Sequence, residues 1–217
     1  MKILLIGKDG QIGKYLFNTL KYNHDVLPMG RKECDLLVKD EIISVFKNIS
    51  ADLVINAAAY TDVDKAEKDE KKVFLINSDA VKIISMLTKE NNIPFINYST
   101  DYVFDGQNNK GYLEEDKEMP LNVYGRSKLS GEKNTKINEK HIIIRTSSVF
   151  SLSGNNFIKK IIKLAENQDR LNVVNDQIIT PTSTELISNV TNKLISYIEA
   201  CKNKDIFGTY HLVAQGS

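Results

Sequence analysis

A tyrosine and a lysine four residues apart are the pair in this sequence best suited to proton transfer. Tyr124 and Lys128 lie in the segment Tyr-Gly-Arg-Ser-Lys, and on a helix residues i and i+4 share one face. Reduction of a ketone by hydride needs a proton donor at the carbonyl oxygen, and an isolated tyrosine has a pKa near ~10. A neighbouring ammonium stabilises the phenolate, so we expect Lys128 to bring the pKa of Tyr124 closer to neutral.

Two polar residues before this pair follow a predicted strand. The strand Phe95–Ser99 is followed directly by Thr100 and Asp101. Reactive groups gather at the carboxyl ends of the strands in an open parallel sheet. We therefore expect Thr100 to donate a hydrogen bond to a substrate carbonyl and Asp101 to accept hydrogen bonds from a sugar hydroxyl. The alternative for Thr100 is a turn in which its hydroxyl satisfies local backbone groups.

Three glycines near the amino terminus predict a site for a nucleotide pyrophosphate. Gly7, Gly10 and Gly13 follow the apolar segment Lys2–Ile6 and open a helical pattern. In such a turn the first glycine allows the tight bend and the second lets the phosphates approach the backbone. The third lets the helix pack closely, with its first N–H groups aimed at the anion. An ordinary glycine-rich turn is the alternative, since the spacing alone is a weak signal.

The end of the second predicted strand indicates which dinucleotide would bind. It reads Met-Gly-Arg-Lys, so Arg31 stands where NAD-binding proteins usually place an acidic residue. A guanidinium meets a phosphate through paired hydrogen bonds, which favours NADP(H). Glu33 and Asp35 follow closely, so NADH use stays open. After the third strand, the small residues Ala57–Ala59 would let a flat cofactor approach the backbone.

Strand and helix patterns alternate along the chain, which predicts a doubly wound parallel (Rossmann-type) α/β sheet. The predicted strands are Lys2–Ile6, Asp25–Met29, Leu53–Ala57, Phe95–Ser99, His141–Thr146, Leu171–Val174 and Thr209–Val213. The predicted helices are Gln11–Tyr22, Asp40–Asn48, Ala66–Ile76, Asp79–Asn91, Val123–Asn138, Asn156–Asn167 and Thr184–Lys202. We divide the chain into a dinucleotide-binding domain, residues 1–150, and a mixed region, residues 151–217. That region holds the last Rossmann elements and the start of a substrate lobe, which we expect to be truncated.

Composition narrows the class of protein further. The chain has 217 residues, 41% hydrophobic and 26% charged, with a net charge of +1 that gives no electrostatic case for a nucleic-acid partner. Cys34 and Cys201 form no metal or redox motif, as expected of a reduced protein. No stretch approaches the ~20 apolar residues of a membrane helix, and no signal peptide is recognisable. We therefore expect a cytoplasmic protein without a membrane partner.

Several segments together resemble the extended short-chain dehydrogenases/reductases, and among them the bacterial dTDP-4-dehydrorhamnose reductases. The similarity covers essentially the whole chain. It is carried by residues 5–13, 56–61, 63–67, 98–104, 120–125, 144–147, 174–177 and 210–214, with Lys128, Gly131 and Glu132.

The resemblance implies an enzyme that uses NADPH to reduce the 4-keto group of dTDP-4-dehydro-L-rhamnose, giving dTDP-L-rhamnose for cell-surface polysaccharide. It implies a nucleotide-sugar substrate and a homodimer. The implied catalytic residues are Thr100, Tyr124 and Lys128, and the implied substrate-binding residues are Asp101, Asn175, Gln177 and Thr182. The implied cofactor-binding residues are Gly7, Gly10, Gln11, Ile12, Gly13, Arg31, Asp35, Leu36, Ala57, Ala58, Ala59, Tyr60, Asn77, Tyr124 and Lys128.

Three departures from the family pattern qualify this expectation. Ser148 stands where the family usually has a tryptophan near the sugar, and the exact sugar is not fixed by the sequence. Tyr15 replaces an acidic residue that in some members helps to bind an interface metal, so we predict no metal. Tyr102 replaces the acid that dehydratases need after Thr-Asp, which disfavours dehydration. Another nucleotide-sugar epimerase or reductase of this fold, or a non-catalytic NADP-binding regulatory subunit, are the remaining alternatives.

Overall fold

A six-stranded parallel sheet lies at the centre of the protein. The computed structural model describes residues 1–108, 110–152, 154, 156–168, 170–200 and 206–216. The strands of the sheet are β1 Lys2–Ile6, β2 Asp25–Met29, β3 Leu53–Asn56, β4 Phe95–Thr100, β5 His141–Thr146 and, after two short strands elsewhere, β8 Gly208–His211. Their order is β2-β1-β3-β4-β5-β8, and all neighbouring pairs are parallel.

Helices connect the strands and cover the sheet. They are α1 Gln11–Leu20, α2 Lys39–Asn48, α3 Val63–Ala66, α4 Glu70–Phe74, α5 Ala80–Glu90, α6 Val123–Thr135, α7 Phe157–Ala165 and α8 Thr184–Ala200. A π-helical turn, Leu75–Asp79, joins α4 to α5, and a 3-10 turn, Asp101–Val103, follows β4. Two short strands, β6 Val149–Phe150 and β7 Thr182–Ser183, pair apart from the main sheet. In the described part of the chain, no helix is long and apolar enough to cross a membrane.

The strand order confirms the predicted doubly wound sheet and fixes where a ligand can bind. β1 has β2 on one side and β3 on the other, so the winding of the chain reverses between β1 and β3. In open α/β sheets, such a reversal opens a crevice at the carboxyl ends of the strands. The glycine turn follows β1 and Thr100 ends β4, so both lie at this edge of the sheet.

The two faces of the sheet bury alternate residues of the same strands. Ile3 and Leu5 of β1 pack in a core with α1 and α8, whereas Leu4 and Ile6 pack in a second core with α2 and α5. Alternate side chains of a strand point to opposite faces, so a strand covered on both sides must be apolar throughout. This is why β1, β3 and β5 read as near-continuous apolar runs.

Helix α6, which carries the Tyr124–Lys128 pair, is held to the sheet largely by polar contacts. Asn97 Nδ2 of β4 donates to Thr135 Oγ1 at 2.8 Å, and its Oδ1 accepts from Asn56 Nδ2 at 2.9 Å. Gly131 lets the helix approach the π-helical turn, because a Cβ there would lie 2.1 Å from the carbonyl oxygen of Asn77. Buried hydrogen bonds of this kind fix one relative position of helix and sheet more specifically than apolar packing does.

Two predicted elements differ from the structure, and a third extends past the described residues. Leu171–Val174 is not a strand: no sheet neighbour pairs with it, and the Val173 and Val174 side chains are exposed. The helix predicted over Ala66–Ile76 is interrupted between α3 and α4 and then continues as the π-helical turn. The last predicted helix is observed to Ala200, and its final residues, Cys201 and Lys202, lie outside the described residues.

Candidate active site

The turn between β1 and α1 brings three backbone segments unusually close together. Gly7 has a φ of +93°, and a Cβ there would lie 2.5 Å from the backbone nitrogen of Ala58. A Cβ on Gly13 would lie 2.0 Å from the carbonyl oxygen of Gly7, so α1 packs directly against the turn. The first and third glycines therefore have the roles that the sequence predicts, a left-handed bend and a close helix contact.

The amino terminus of α1 is open to a ligand and fits the pyrophosphate of a dinucleotide. Gly10 is the N-cap residue and gives the first N–H groups of the helix no side-chain partner. A Cβ on Gly10 would meet nothing closer than 3.4 Å, so the space above the turn is free. Free N–H groups and the helix dipole together favour an anion at this position.

A cavity of about 810 Å³ runs from this turn along the carboxyl ends of β1, β3 and β4. Most of the residues that the sequence predicts for the site line it. Those residues are Gly7, Gly10, Gln11, Ile12, Arg31, Asp35, Leu36, Ala57, Ala58, Ala59, Tyr60, Thr100, Asp101, Tyr124 and Lys128. Thr146 also lines it, and its buried hydroxyl has no hydrogen-bond partner within the described ranges. A polar ligand in the cavity would supply one.

Thr100, Asp101 and Ser147 form one hydrogen-bonded group at the end of the cavity that Tyr124 also lines. Thr100 Oγ1 donates to Asp101 Oδ1 at 3.0 Å, and the Ser147 hydroxyl donates to Asp101 Oδ2 at 2.6 Å. Tyr124 lines the same cavity beside Thr100, and its interaction with the Thr100 hydroxyl acts to lower the pKa of Tyr124 against the larger effect of burial. Thr100 Oγ1 also accepts from the Tyr102 backbone N–H at 3.2 Å, so the predicted turn is observed at a residue that lines the cavity.

Burial keeps the Tyr124 hydroxyl protonated. Desolvation raises the pKa of Tyr124 to about 12, and its interaction with Thr100 opposes that increase. The expected lowering of this pKa by Lys128 is therefore wrong for the protein as it stands, because the cost of burying a phenolate exceeds any stabilisation by the ammonium. A neutral phenol is nonetheless the form that can donate a proton.

Lys128 is buried and held in place by the strand beside it. It is 4% exposed, and its Nζ donates to the carbonyl oxygen of Tyr98 at 2.6 Å. Burial lowers the pKa of Lys128 to about 8, while the negative charge of Glu132 acts against that decrease. The side chain is therefore mostly cationic at neutral pH and can stabilise a negative charge in the cavity.

Positive charge collects at the opposite end of the cavity. Arg31 Nε donates to Asp35 Oδ2 at 3.2 Å, and the Arg31 side chain is 68% exposed. The pKa of Asp35 is lowered, mainly by the hydrogen bond from the Leu37 backbone N–H. The positive charges of Arg31 and Lys72 lower it further. Lys14 and Lys72 also line the cavity. An exposed guanidinium beside two ammonium groups suits a phosphate there, while Asp35 retains an acceptor for ribose hydroxyls.

Asn77 and Gly13 shape the site from outside the cavity. Asn77 is buried and does not line the cavity. Its Oδ1 accepts from the Tyr60 backbone N–H at 2.8 Å. Its Nδ2 donates to the Tyr60 carbonyl and to the Ser127 hydroxyl, each at 3.0 Å. It therefore ties the loop after β3 to α6. The sequence predicts cofactor contacts for Asn77 and Gly13, and the structure gives both residues contacts with the protein itself.

The predicted substrate residues near the carboxyl terminus do not join the cavity. Asn175 and Gln177 are exposed and Thr182 is buried in β7, and none of the three is a lining residue. Thr182 Oγ1 donates to the Thr180 carbonyl at 3.1 Å. Asp101 is the one predicted substrate residue that lies in the cavity wall.

The segment after β5 also lines the cavity, although the sequence singles out only Ser148 in it. Ser148, Val149 and Gly154 line the cavity beside the glycine turn. Gln11 Oε1 accepts from the Ser151 hydroxyl at 2.7 Å and from Asn156 Nδ2 at 3.3 Å, which ties the segment to α1. Ser148 has a φ of +43°, an uncommon conformation for a residue with a Cβ and one that clusters at functional sites.

Comparisons with known proteins agree on one family. The family model described as "RmlD substrate binding domain" matches residues 1–217. The dTDP-4-dehydrorhamnose reductase of Sinorhizobium fredii is 38% identical over 217 residues, which cover 100% of this chain and 73% of that protein.

Solved structures lead to the same family. A dTDP-4-dehydrorhamnose reductase from Clostridium acetobutylicum superposes with a TM-score of 0.92 at 35% identity, over 100% of this chain and 75% of that one. The Bacillus anthracis enzyme, solved in complex with NADP, gives 0.91 at 33% identity, over 99% and 75%. A family model that spans all 217 residues and a relative that is 38% identical over the same length make this chain a member of the dTDP-4-dehydrorhamnose reductase family.

Proposed function

We propose that this protein uses NADPH to reduce the 4-keto group of dTDP-4-dehydro-L-rhamnose, which yields dTDP-L-rhamnose. The observation that carries the proposal is that Thr100, Tyr124 and Lys128 line one end of the cavity that also holds the glycine turn. The relatives named dTDP-4-dehydrorhamnose reductase support this reaction, and the NADP complex of the Bacillus anthracis enzyme supports the cofactor.

In this reaction Tyr124 acts as the acid. When bound, the cofactor supplies the hydride that adds to the carbonyl carbon. Thr100 donates a hydrogen bond to the carbonyl oxygen, Tyr124 transfers its proton to that oxygen, and the ketone becomes an alcohol. Lys128 then stabilises the Tyr124 phenolate until a proton returns from solvent. Hydride and proton together account for both added hydrogens.

The cavity divides into parts suited to each end of the ligands. The glycine turn and the amino terminus of α1 would hold the pyrophosphate, with Ala57–Ala59 and Tyr60 along the middle of the dinucleotide. Arg31 would meet the 2′-phosphate, and Lys128 the nicotinamide ribose. Asp101 would accept a hydrogen bond from the sugar, while Asn175, Gln177 and Thr182 would belong to the nucleotide-sugar lobe.

The packing of the elements after residue 150 supports the proposed division of the chain into residues 1–150 and 151–217. β8 joins the main sheet beside β5, and α8 packs on α1, so residues 151–217 include Rossmann elements. In the segment between β6 and β7, Leu152, Phe157, Val174 and Ile178 are exposed apolar side chains, as expected of a lobe that binds a second ligand. We further propose a cytoplasmic enzyme that forms a homodimer, and light scattering during gel filtration would measure the latter.

NADPH oxidation with a panel of dTDP-4-keto sugars tests the proposed reaction. We expect consumption of one NADPH per ketone reduced, with dTDP-4-dehydro-L-rhamnose as the best substrate. An epimerase would instead change the sugar without net NADPH consumption, and a regulatory subunit would bind NADPH and convert none of the panel. Either result would replace the proposed function.

Replacing Arg31 by Ala should weaken NADPH binding by about tenfold and leave NADH binding nearly unchanged. Only NADPH carries the phosphate that the guanidinium would meet, and the exposure of Arg31 keeps the effect modest. Fluorescence titration with each nucleotide measures both affinities. Lys32→Ala is the matched control, since it removes one exposed positive charge beside Arg31. Equal losses of NADPH and NADH affinity would remove Arg31 from phosphate recognition.

A further inference from the structure

A buried ion pair lies two helical turns beyond Tyr124, outside the residues given a role above. Glu132 of α6 and Arg145 of β5 are 1% and 2% exposed. Arg145 Nε donates to Glu132 Oε1 at 3.0 Å, and Nη2 donates to Oε2 at 2.7 Å. Desolvation of two charges offsets most of their attraction, so net stability does not explain why the pair is there.

The pair joins the elements that surround the reacting end of the cavity. The Ser99 hydroxyl of β4 donates to Glu132 Oε1 at 2.5 Å, and Ser99 directly precedes Thr100. Arg145 Nη2 donates to Glu118 Oε1 at 2.6 Å, which adds the loop between β4 and α6. A displacement of Glu132 would therefore move the end of β4 and α6 relative to each other.

Glu132 and Lys128 contact consecutive residues of the same strand. They lie four residues apart on one face of α6, and Lys128 Nζ donates to the Tyr98 carbonyl while Glu132 accepts from the Ser99 hydroxyl. Two anchors one turn apart fix both the rotation of α6 and its height along β4. Tyr124 lies one turn earlier on the same face of α6, so the two contacts that fix the helix also place Tyr124 next to Thr100.

The charged and titratable groups around Lys128 come from three elements. Tyr124 and Glu132 belong to its own helix, Asp101 and Tyr102 follow β4 and line the same cavity, and Arg145 of β5 lies behind Glu132. Of these, the Glu132 charge opposes the fall in the pKa of Lys128 that burial causes.

We propose that Glu132 is a positioning residue for the reaction: its carboxylate, fixed by Arg145 and Ser99, holds α6 on β4 and places a negative charge near the Lys128 ammonium. The contribution to catalysis rests on the proposed function, whereas the effect on Lys128 itself does not. Without that charge the lysine is neutral over more of the working pH range, and a neutral lysine cannot stabilise the phenolate.

A Glu132→Gln variant tests this inference directly. Gln keeps the shape of the side chain and removes its charge, so we expect the Lys128 ammonium to titrate lower by about half a pH unit or more. NMR of labelled lysine side chains measures that titration, with Lys128→Met to assign the signal. The alkaline decline of kcat/KM should move to lower pH by a similar amount. A purely structural role would lower activity at all pH values without moving this decline.

Two further variants separate charge from folding. Glu118→Gln removes the other carboxylate on Arg145, and we expect the Lys128 titration to stay where it is. The double variant Glu132→Gln with Arg145→Gln removes both buried charges, so it is testable even if the single variant does not fold. Lys128 should still titrate at lower pH than in the unmodified protein, because Glu132 is the charge that opposes the fall in its pKa. An unshifted Lys128 in a folded variant would overturn the inference. If the titration of Lys128 shifts in the variant but the unmodified protein reduces no ketone, the result would count against the proposed function and not against this inference.

Discussion

Replacing Tyr124 by Phe is expected to lower kcat for ketone reduction by about 10²- to 10⁴-fold, the usual range for loss of a positioned general acid. The ring stays in place, because Tyr124 is buried and packs edge-on against Tyr102 with centroids 5.5 Å apart. Only the hydroxyl that would donate the proton is lost. The dissociation constant for NADPH should remain within about twofold of the unmodified protein.

Single-turnover kinetics with NADPH measure the chemical step, and a fluorescence titration measures binding. Tyr98→Phe is the matched control: it removes another buried phenol hydroxyl, one that lies 2.6 Å from Thr191 Oγ1 on α8. That variant should lose about 1 kcal/mol of unfolding free energy and keep the rate of reduction. Full activity in Tyr124→Phe would show that the proton comes from another group.

The two pKa values in the site fit reduction better than oxidation. At pH 7 a Tyr124 hydroxyl with a pKa of about 12 keeps its proton, and a Lys128 ammonium with a pKa of about 8 is mostly charged. Tyr124 is thus protonated before the ketone binds, and the charged Lys128 that would stabilise the Tyr124 phenolate is already present. As pH rises through about 8, Lys128 loses its charge, so the rate of reduction should fall on the alkaline side.

The elements that the sequence predicted correctly are those in which local pattern and burial agree. β1, the glycine turn and α1 form one such case, since the apolar strand, the glycines and the helical periodicity all indicate the same structure. The segment Leu171–Val174 is the opposite case. A short apolar run suits a strand only if a neighbour pairs with it, and whether one does is decided by the tertiary fold.

The prediction of site residues from the sequence has the same limit. Tyr124 and Lys128 could be predicted as a pair because a helix fixes the distance between residues four apart. Glu132 and Arg145 lie on different elements, and no spacing rule pairs a helix residue with a strand residue thirteen positions later. Asn77 illustrates a related difficulty, because a polar residue near the cofactor loop can as easily bind the protein's own backbone as a ligand.

Replacing Gly13 by Ala should destabilise the protein by about 3 kcal/mol or more and abolish dinucleotide binding. A Cβ at this position would lie 2.0 Å from the Gly7 carbonyl oxygen and 2.7 Å from its carbon, and neither is a side chain that can turn away. Relief requires α1 to move off β1, which opens the core formed by Leu16, Leu20 and the strand. Thermal or denaturant unfolding measures the loss.

Gly10→Ala separates this packing effect from ligand binding. Its Cβ would approach the Gly7 carbonyl oxygen to 3.4 Å, an ordinary contact, and its φ of −73° suits alanine. We therefore expect nearly unchanged stability together with weakened NADPH binding, because the added methyl group occupies the space above the turn where the pyrophosphate would lie. A Gly10→Ala variant that binds NADPH normally would mean that the phosphates do not approach this backbone, whereas a stable Gly13→Ala variant would mean that α1 can shift without cost.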